Sequence, residues 1–367
     1  GKQSVNMASD TNRLLFGLAC LLPAALIVTA AFFGSFWLWA ALASITVCVV
    51  IMDRAGPQFE APASSAQILP LAVGLAHFAA LTTVLWALGQ TGELRIGEKV
   101  LLVITTGLFA GQVSNACAHE LIHRTDRATR RLGTAIYCSI LNGHHVSAHL
   151  LVHHVHAGTD KDPNSAPLGQ GFYRYYLKTS IAEYRAGFKA EAKRIGGKAR
   201  WRHPYMLYSA GSAVMLLLAW LIGGGLAVVG LLAISLHAQA QLLLSDYLQH
   251  YGLSRQLDEA GKPEPMGPQH SWNAPQNYSS ALMMNAPRHS DHHMNPARDF
   301  TQLRLTKEMP TLPRSVPVMG AIALVPPLWR RMMDVRARKW SHDAAVRDPS
   351  QTKPSAIPTS QAIPQGR

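Results

Sequence analysis

The chain has 367 residues, of which 48% are hydrophobic and only 15% are charged, and its formal net charge is +13. Soluble domains carry about 25% charged residues, so this composition argues against an ordinary soluble protein. The apolar residues cluster into long runs that are nearly free of charge, each long enough to cross a bilayer core of about 30 Å as a helix. Six such runs favour membrane spans over buried helices of a large soluble domain. They occupy residues 14–33, 36–52, 67–89, 99–118, 205–222 and 226–245.

These runs predict an all-α integral membrane protein with six transmembrane helices and a cytoplasmic His-rich domain. The last two helices are joined by a tight turn at Gly223-Gly224-Gly225. The C-terminal tail is rich in Pro, Ser and Gln, a composition typical of disorder. In chain order the predicted segments are a polar N-terminus (1–13), transmembrane helices 1–4 (14–118), a cytoplasmic His-rich and basic region (119–204), transmembrane helices 5–6 (205–249), a second cytoplasmic His-rich region (250–340) and a disordered tail (341–367).

The basic residues are concentrated between the predicted spans. Residues 174–202 hold nine Lys/Arg against two Glu, and residues 124–131 hold four Arg against one Asp. The connections on the opposite side carry almost no positive charge. This distribution follows the positive-inside rule, so it favours membrane orientation over nucleic-acid binding. It predicts that both termini and the basic stretches lie in the cytoplasm.

Histidines form the strongest chemical signal. Of 17 histidines, 15 fall between positions 119 and 293. Residues four apart share one face of a helix, so several of these histidines are predicted to point the same way as pairs. Imidazoles one helical turn apart can hold one metal ion. The candidate ligands are His119 and His123 in "HELIH", His149, His153 and His154 in "HLLVHH", His250 in "LQHYG", and His289, His292 and His293 in "HSDHH".

The predicted topology brings all nine candidates to one layer at the cytoplasmic ends of the spans. "HELIH" also resembles the zinc-protease motif H-E-x-x-H, in which the Glu is a general base, but that interpretation leaves seven histidines without a role. Nine imidazoles are too many for one ion, whereas two ions with four or five ligands each fit the count. Spacing alone does not separate iron from zinc or copper. His77 and His237 lie deeper in predicted spans and are interpreted as hydrogen-bonded residues of the bundle.

Four stretches resemble the signatures of the membrane alkane 1-monooxygenases, which belong to an integral-membrane di-iron group together with xylene monooxygenase and the fatty-acid desaturases. The stretches are "HELIHR", "HLLVHHVHAGTDKDPNSA", "DYLQHYGL" and "PRHSDHHMNP". The resemblance implies that the nine histidines bind two non-haem iron ions, with no catalytic residue beyond these ligands and with O2 as co-substrate. It implies terminal hydroxylation of medium-chain n-alkanes to primary alcohols in the bacterial inner membrane.

The sequence departs from the family pattern at three positions that are not ligands: Ala148 and Gln249 stand where the family usually has Glu, and Arg124 where it has Lys. These departures leave open which acids support the ligands. Metal-bound imidazoles usually need a hydrogen-bond acceptor on their other nitrogen. The candidates for that supporting role, each of which could equally cap a helix or pair with an Arg, are Glu120, Asp162, Asp246 and Asp291.

Electrons must come from another protein, because the chain has no Gly-rich nucleotide motif and its four cysteines form no C-x-x-C pair. The resemblance implies a separate rubredoxin, reduced by an NAD(P)H-dependent rubredoxin reductase. Rubredoxins are acidic, so the basic stretch 174–202 is interpreted either as their docking surface or as the positive-inside signal alone. We expect spans one to four and six to form an apolar channel for the alkane.

Four other functions fit the sequence less well. A fatty-acid desaturase has three His boxes that can be laid over this chain, but "LQHYG" and "RHSDHH" resemble the hydroxylase branch. A xylene-type aryl-methyl monooxygenase would use the same machinery and is the nearer alternative. A metal transporter would place its ligands at mid-membrane, whereas these gather beyond the span ends. A zinc protease is disfavoured because one ion needs few of the histidines.

Overall fold

The computed structural model describes residues 2–197 and 200–347, with side chains from residue 9 to residue 341. Within these residues the chain is helical and contains only two isolated β-bridges and no strand. This agrees with the predicted all-α class. The helices of the apolar part are α1 (Lys2–Phe33), α2 (Phe36–Ile45), α3 (Val47–Ala55), α4 (Ser65–Gly89), α5 (Ile96–Phe109), α6 (Asn115–Ile122) and, after an intervening polar region, α11 (Pro204–His250).

Four helical stretches of the described residues are long and apolar enough to cross a membrane: Ser9–Phe33, Ser65–Gly89, Ile96–Ile122 and Pro204–His250. The pair α2 and α3 adds a fifth if it counts as one span, because the two helices meet at an angle of 46° at Thr46. The six separate spans predicted from the sequence are therefore not observed as six separate helices. The shortfall arises at α11, which covers both of the last two predicted runs.

Helix α11 is folded back on itself at Gly224. This residue has φ 66° and ψ −157°, which is non-helical and accessible mainly to glycine. Gly211 lies beside Cys138, and the side chain of Gln239 donates to the carbonyl of Ile140. On one straight helix, positions 211 and 239 would be about 42 Å apart. Both instead adjoin the end of α7, so the chain reverses direction at the predicted glycine turn.

The polar part of the chain folds against the ends of the long helices. Between α6 and α11 lie α7 (Arg127–Ser139), α8 (His145–Ala148), α9 (His154–His156) and α10 (Phe172–Ile195). After α11 come α12 (Asn277–Leu282), α13 (His289–Met294), α14 (Val316–Ala323) and α15 (Pro326–Arg347). Helix α15 continues into the segment that was predicted to be disordered from residue 341, and residues 348–367 of that segment lie outside the described residues.

Two segments of π-helix interrupt this architecture. Residues Ala110–Ser114 connect α5 to α6, and residues His149–His153 connect α8 to α9. A π-helix bonds residue i to residue i+5 rather than i+4, so it shifts the faces of all later side chains. Short π-segments inside α-helices occur frequently at functional sites. Both segments here lie next to candidate metal ligands.

Helices α4 and α11 pack with almost no space between their backbones at the Gly224 turn. A Cβ atom on Gly223 would lie 2.2 Å from the carbonyl oxygen of Leu85. A Cβ on Gly89 would lie 2.4 Å from the Cα of Gly223. Because the obstructing atoms are backbone, no side-chain rotation can relieve such contacts. The close approach therefore depends on glycine at both positions.

We predict that Gly223→Ala lowers the free energy of unfolding by about 1–3 kcal/mol, the usual cost of overpacking. The measurement is thermal unfolding of the detergent-purified chain, followed by intrinsic fluorescence. Gly225→Ala is the matched control, since its new Cβ would have no neighbour nearer than 3.8 Å. Equal melting temperatures for the two variants would contradict this packing.

Candidate metal centre

All nine histidines predicted as ligands converge at one end of the helical bundle. Helix α6 carries His119 and is followed directly by His123. The second π-segment and α9 carry three more, α11 ends at His250, and α13 carries the last three. They form two adjacent groups, within each of which the candidate ligand atoms lie within 4.8 Å of one another. The first group is His119, His123, His149, His154 and His292, and the second group is His153, His250, His289 and His293.

The π-segment explains why His149 and His153 separate. The i, i+4 rule predicted that they share a face, with His154 beside them. In the structure, residues five apart align, so the Nε2 atoms of His149 and His154 lie 3.0 Å apart in the first group. His153 points into the second group. The predicted pairing of His149 with His153 is therefore wrong, whereas the pairs 119/123 and 289/293 each stay in one group.

His292 is also placed differently from the prediction. It was expected to share the face of His289 and His293, but its Nε2 lies 3.1 Å from that of His154 in the first group. Helix α13 has only 6 residues and carries ligands of both groups. Neighbouring residues 292 and 293 can therefore point to different sides. The rings of His154 and His293 stack at 4.6 Å between centroids, which joins the two groups.

The distances between imidazole nitrogens suit metal coordination. Pairs of Nε2 atoms lie 2.9 Å apart for His250 and His289, 3.0 Å for His289 and His293, and 3.0 Å for His123 and His149. Two nitrogens bound at right angles to one metal, each at about 2.1 Å, lie about 3.0 Å apart. The donor set is imidazole alone, which suits iron, zinc, copper and nickel. The residues therefore fit a pair of transition-metal ions.

One nitrogen of His153 is buried without a partner in the described part of the chain, as expected for an atom that binds a metal. Its Nδ1 lies 2.8 Å from Oδ2 of Asp162, whereas its Nε2 is buried and has no hydrogen-bond partner among the described residues. Burial lowers the pKa of His153, but the adjacent Asp162 raises it more, so that the pKa is about 9. The carboxylate thus holds Nδ1–H, and Nε2 faces the second group, where a bound metal would displace the proton from Nε2.

Six other candidate ligands outside the spans are held neutral by burial. Burial, followed by repulsion from neighbouring histidines and Arg130, lowers the pKa of His123 to about 4. Burial likewise holds the pKa values of His149, His154, His289, His292 and His293 well below their usual range. Neutral imidazole is the form that coordinates a metal. The site therefore needs no proton release from these residues at neutral pH.

Of the four acids proposed to support the ligands, only Asp162 bonds to one of the nine histidines. Glu120 accepts from Arg124 at 2.6 Å and from the backbone of Phe300. Asp246 accepts from the amide of Asn164 at 2.8 Å. Asp291 accepts hydrogen bonds from the side chains of Asn295 and Arg298 and from the backbone N–H of Arg304. The alternative of pairing with Arg therefore describes Glu120 and Asp291 better.

Glu183 is an acid near the site that the sequence argument missed. It lies on α10, and its carboxylate is 3.4 Å from Nε2 of His144 and 3.5 Å from Nδ1 of His145. The ring of His145 packs against that of His149 at 5.3 Å. Burial raises the pKa of Glu183, but both histidines lower it, so it lies well below its usual range. Its position within the basic stretch hid this role, because only tertiary contact reveals it.

A cavity of about 590 Å³ leads from the histidines into the bundle. His119, His149 and His289 line its inner end, and Leu108 and His237 lie farther along α5 and α11. The wall is formed by α2, α3, α5, α6, α11 and α14. The predicted contributions of spans one and three are therefore wrong, since α1 and α4 do not line the cavity and α14 does. Hydrogen bonds to Ser114 and Ser139 confirm His77 as a core residue.

This geometry agrees with similarity to known proteins. Residues 99–323 match the model of the fatty acid desaturase family. The chain belongs to that family. Among curated proteins it is 28% identical to alkane 1-monooxygenase 2 of Pseudomonas aeruginosa over 83% of this chain and 85% of the relative. It is 32% identical to alkane 1-monooxygenase of Acinetobacter baylyi over 65% and 59%, respectively.

A third relative is the hydroxylase component of xylene/toluene monooxygenase of Pseudomonas putida, which is 25% identical over 86% of each chain. These similarities confirm the predicted membership of the alkane 1-monooxygenase group and place the chain among the monooxygenases. The match spans less than two thirds of some relatives, as for the Acinetobacter protein. The nine histidines and the cavity both lie largely within the matched residues.

We predict that Asp162→Asn weakens metal binding at the second group by about 10- to 100-fold, the usual effect of removing the acceptor behind a ligand. Elemental analysis after dialysis against a chelator measures this, with about one ion lost and one retained per chain. Asp160→Asn is the control, because Asp160 is exposed and two residues away. Full retention of both ions in Asp162→Asn would contradict the role of the Asp162–His153 contact.

Proposed function

We propose that the chain is an O2-dependent hydroxylase of medium-chain n-alkanes, which forms primary alcohols at a di-iron site. The observation that carries the proposal is the opening of two adjacent imidazole groups onto one cavity. The first group would hold one iron with five ligands, and the second group would hold the other with four. The names of the curated relatives support monooxygenase chemistry, and the resemblance of the four histidine-containing stretches implies iron rather than the zinc or copper that imidazoles also suit.

The proposed topology has six membrane spans with the histidines on the cytoplasmic side of the bacterial inner membrane. α1, the bent pair α2–α3, α4 and the α5–α6 stretch would each cross once. The two arms of α11 would cross in opposite directions, since the chain reverses at Gly224. The basic residues of α10 lie on the same side as the histidines, as the positive-inside rule requires.

An alkane offers no group for acid–base or nucleophilic attack. Two non-haem irons, when bound, supply the oxidising power that a terminal C–H bond requires. The balanced reaction takes one O2, two electrons and two protons per alkane and yields one primary alcohol and one water. The protein contributes the neutral imidazoles, the Asp162 contact that orients His153, and a largely apolar cavity that would position the methyl group.

The cavity has the size and lining expected for a flexible hydrocarbon. Ligand cavities usually measure about 300–1,000 Å³, and this one measures about 590 Å³. Leu108 lies three turns before His119, so the lined space extends about 16 Å from the first group. The broken helix pair α2–α3 lines one side through Ile45, Thr46 and Val47. Lipid-dissolved alkane would enter between this break and α14.

The proposed electron donor is a rubredoxin, reduced in turn by an NAD(P)H-dependent rubredoxin reductase. Helix α10 presents a row of exposed cations on the polar side of the molecule, at Arg174, Lys178, Arg185 and Lys189. The side chains of Leu177 and Ile181 are exposed between them. Cations around an apolar centre suit docking of a small acidic protein. Such docking would weaken as salt is raised.

The test is a metal analysis and a product analysis on one purified sample. We expect about two irons per chain, and 1-alkanols from medium-chain alkanes when rubredoxin, its reductase, NADH and O2 are present. Omission of rubredoxin should abolish the product, and added salt should raise the KM for rubredoxin. One zinc, or no metal and no oxygenated product, would overturn the proposal.

The same assay separates the two related reactions. A mixture that also contains xylene and an acyl thioester reports the alternatives. A benzylic alcohol as the main product would favour an aryl-methyl monooxygenase, which the similarity to the xylene/toluene enzyme supports. An unsaturated acyl product would assign the site to a desaturase, in agreement with the name of the matching family.

We predict that Leu108→Trp shortens the longest alkane that is hydroxylated, because the larger ring fills the far part of the cavity. Turnover of the longest accepted alkane should fall about tenfold or more relative to the shortest one. Product lengths by gas chromatography measure this. Val100→Trp is the control, since Val100 is 52% exposed on the same helix and does not line the cavity. An unchanged length profile in Leu108→Trp would contradict this placement of the substrate.

A further inference from the structure

The cavity wall contains two buried amide oxygens to which no group of the described residues donates. They are Oδ1 of Asn115 and Oε1 of Gln112. Both residues line the cavity, and Asn115 is only 6% exposed. A buried acceptor without a donor costs about 1–3 kcal/mol. Side chains that keep such acceptors in a largely apolar wall therefore point to a ligand that donates a hydrogen bond.

The orientation of the Asn115 amide is fixed by its neighbours. Its Nδ2 donates to the carbonyl of Gly111 at 3.1 Å and to the carbonyl of Ala238 at 2.9 Å. Both N–H groups of the amide are therefore used by backbone oxygens that cannot themselves donate. If the amide were rotated by 180°, Oδ1 would face the carbonyl oxygens of Gly111 and Ala238, and no hydrogen would lie between these three acceptors. Oδ1 is thus the atom left without a partner.

Gln112 is oriented in the same sense by Gln241. The amide nitrogen of Gln241 donates to the carbonyl of Gly107 at 2.8 Å. The amide oxygen of Gln241 therefore faces Gln112, whose Nε2 donates to it at 3.5 Å. This approach needs glycine at position 111, where a Cβ would lie 2.1 Å from the Gln241 amide. Oε1 of Gln112 remains free. These two oxygens, Oδ1 of Asn115 and Oε1 of Gln112, are called the acceptor pair.

The acceptor pair lies on the path to the first group. Asn115 precedes His119 by four residues, about 6 Å of helical rise, and Gln112 belongs to the π-segment just before it. The pair is close to the metal ligands and yet separate from them. A ligand that is otherwise hydrocarbon could reach the pair with one polar group while its chain fills the apolar cavity.

We propose that Asn115 and Gln112 form a hydroxyl-binding subsite, so that the cavity takes a hydrocarbon bearing a hydroxyl group in preference to one that can only accept hydrogen bonds. The inference rests on the proposed function, because it treats the cavity as the hydrocarbon site. A hydroxyl donates its one hydrogen to one of these oxygens or shares it between them. An ether offers only lone pairs and would be repelled. An ammonium group would donate, but its burial is costly.

The test compares three ligands with the same number of non-hydrogen atoms: 1-nonanol, methyl octyl ether and n-decane. Dissociation constants are measured by titration calorimetry on the full, metal-loaded chain in lipid nanodiscs without O2. The variants are Asn115→Leu and Gln112→Leu, with Ser245→Ala as the control. Ser245 also lines the cavity, but its hydroxyl donates to Gln249. Partition into lipid is the same for all variants, so changes in the alcohol-to-ether affinity ratio report the subsite.

We expect each Leu variant to lower that ratio about three- to tenfold, as loss of a neutral hydrogen bond implies, and Ser245→Ala to leave it unchanged. An unchanged ratio in both Leu variants would overturn the subsite. If Asn115→Leu does not fold, Gln112→Leu decides, since it breaks only one long amide contact. Alkane turnover by the unaltered chain separates the two claims. If the unaltered chain hydroxylates alkanes but the Leu variants keep the alcohol-to-ether affinity ratio, only the subsite is wrong. If the Leu variants lower that ratio but the unaltered chain does not hydroxylate alkanes, the subsite stands and the proposed function is wrong.

Discussion

Nine imidazoles buried against one another set the main constraint on this molecule. Their ring nitrogens face common centres at separations of about 3 Å, and burial lowers the pKa values of six of them, which keeps those six neutral. Neutral lone pairs in such contact repel, and they find no donors within the described residues that could satisfy them all. A cation at each centre relieves this repulsion and turns every lone pair into a bond. The architecture around the site can be understood as a means of holding the nitrogens in place.

Irregular helices provide that placement. A regular α-helix would put His149 and His153 on one side of a single centre. The π-segment instead sends them to different groups and aligns His149 with His154. The other π-segment lies before Asn115 and His119, so it sets the direction of both the cavity wall and the first ligand. Local departures from α-helical geometry therefore divide one cluster into two sites.

The nine histidines lie between a polar environment and a largely apolar one. On the polar side, buried acids hold the imidazoles from behind, through Asp162 on His153 and Glu183 beside His144 and His145. On the apolar side, the cavity begins at the rings of His119, His149 and His289. The metal positions thus have polar support on one side and a largely apolar cavity on the other. A hydroxylase needs this separation, because water in the cavity would compete with an inert substrate.

Much of this could be predicted from the sequence. Apolar runs of membrane length predicted the long helices, and glycine at 223–225 predicted the reversal in α11. The spacing of the histidines and the four signature stretches predicted which nine residues would converge, because side-chain type and helical period are local properties. The pairs His119/His123 and His289/His293 lie on ordinary helix and were correctly paired.

Only the tertiary structure decided how those nine residues divide, because the division depends on a π-segment and on α13, which carries ligands of both groups. It also selected Asp162 from four equivalent candidates, revealed Glu183, and replaced α1 and α4 by α14 in the cavity wall. The unpaired oxygens of Asn115 and Gln112 likewise depend on amide contacts to α11. The sequence thus determined which chemical groups the site contains, through local pattern. Long-range packing alone determined which atoms face each other, because that depends on contacts between residues far apart in the chain.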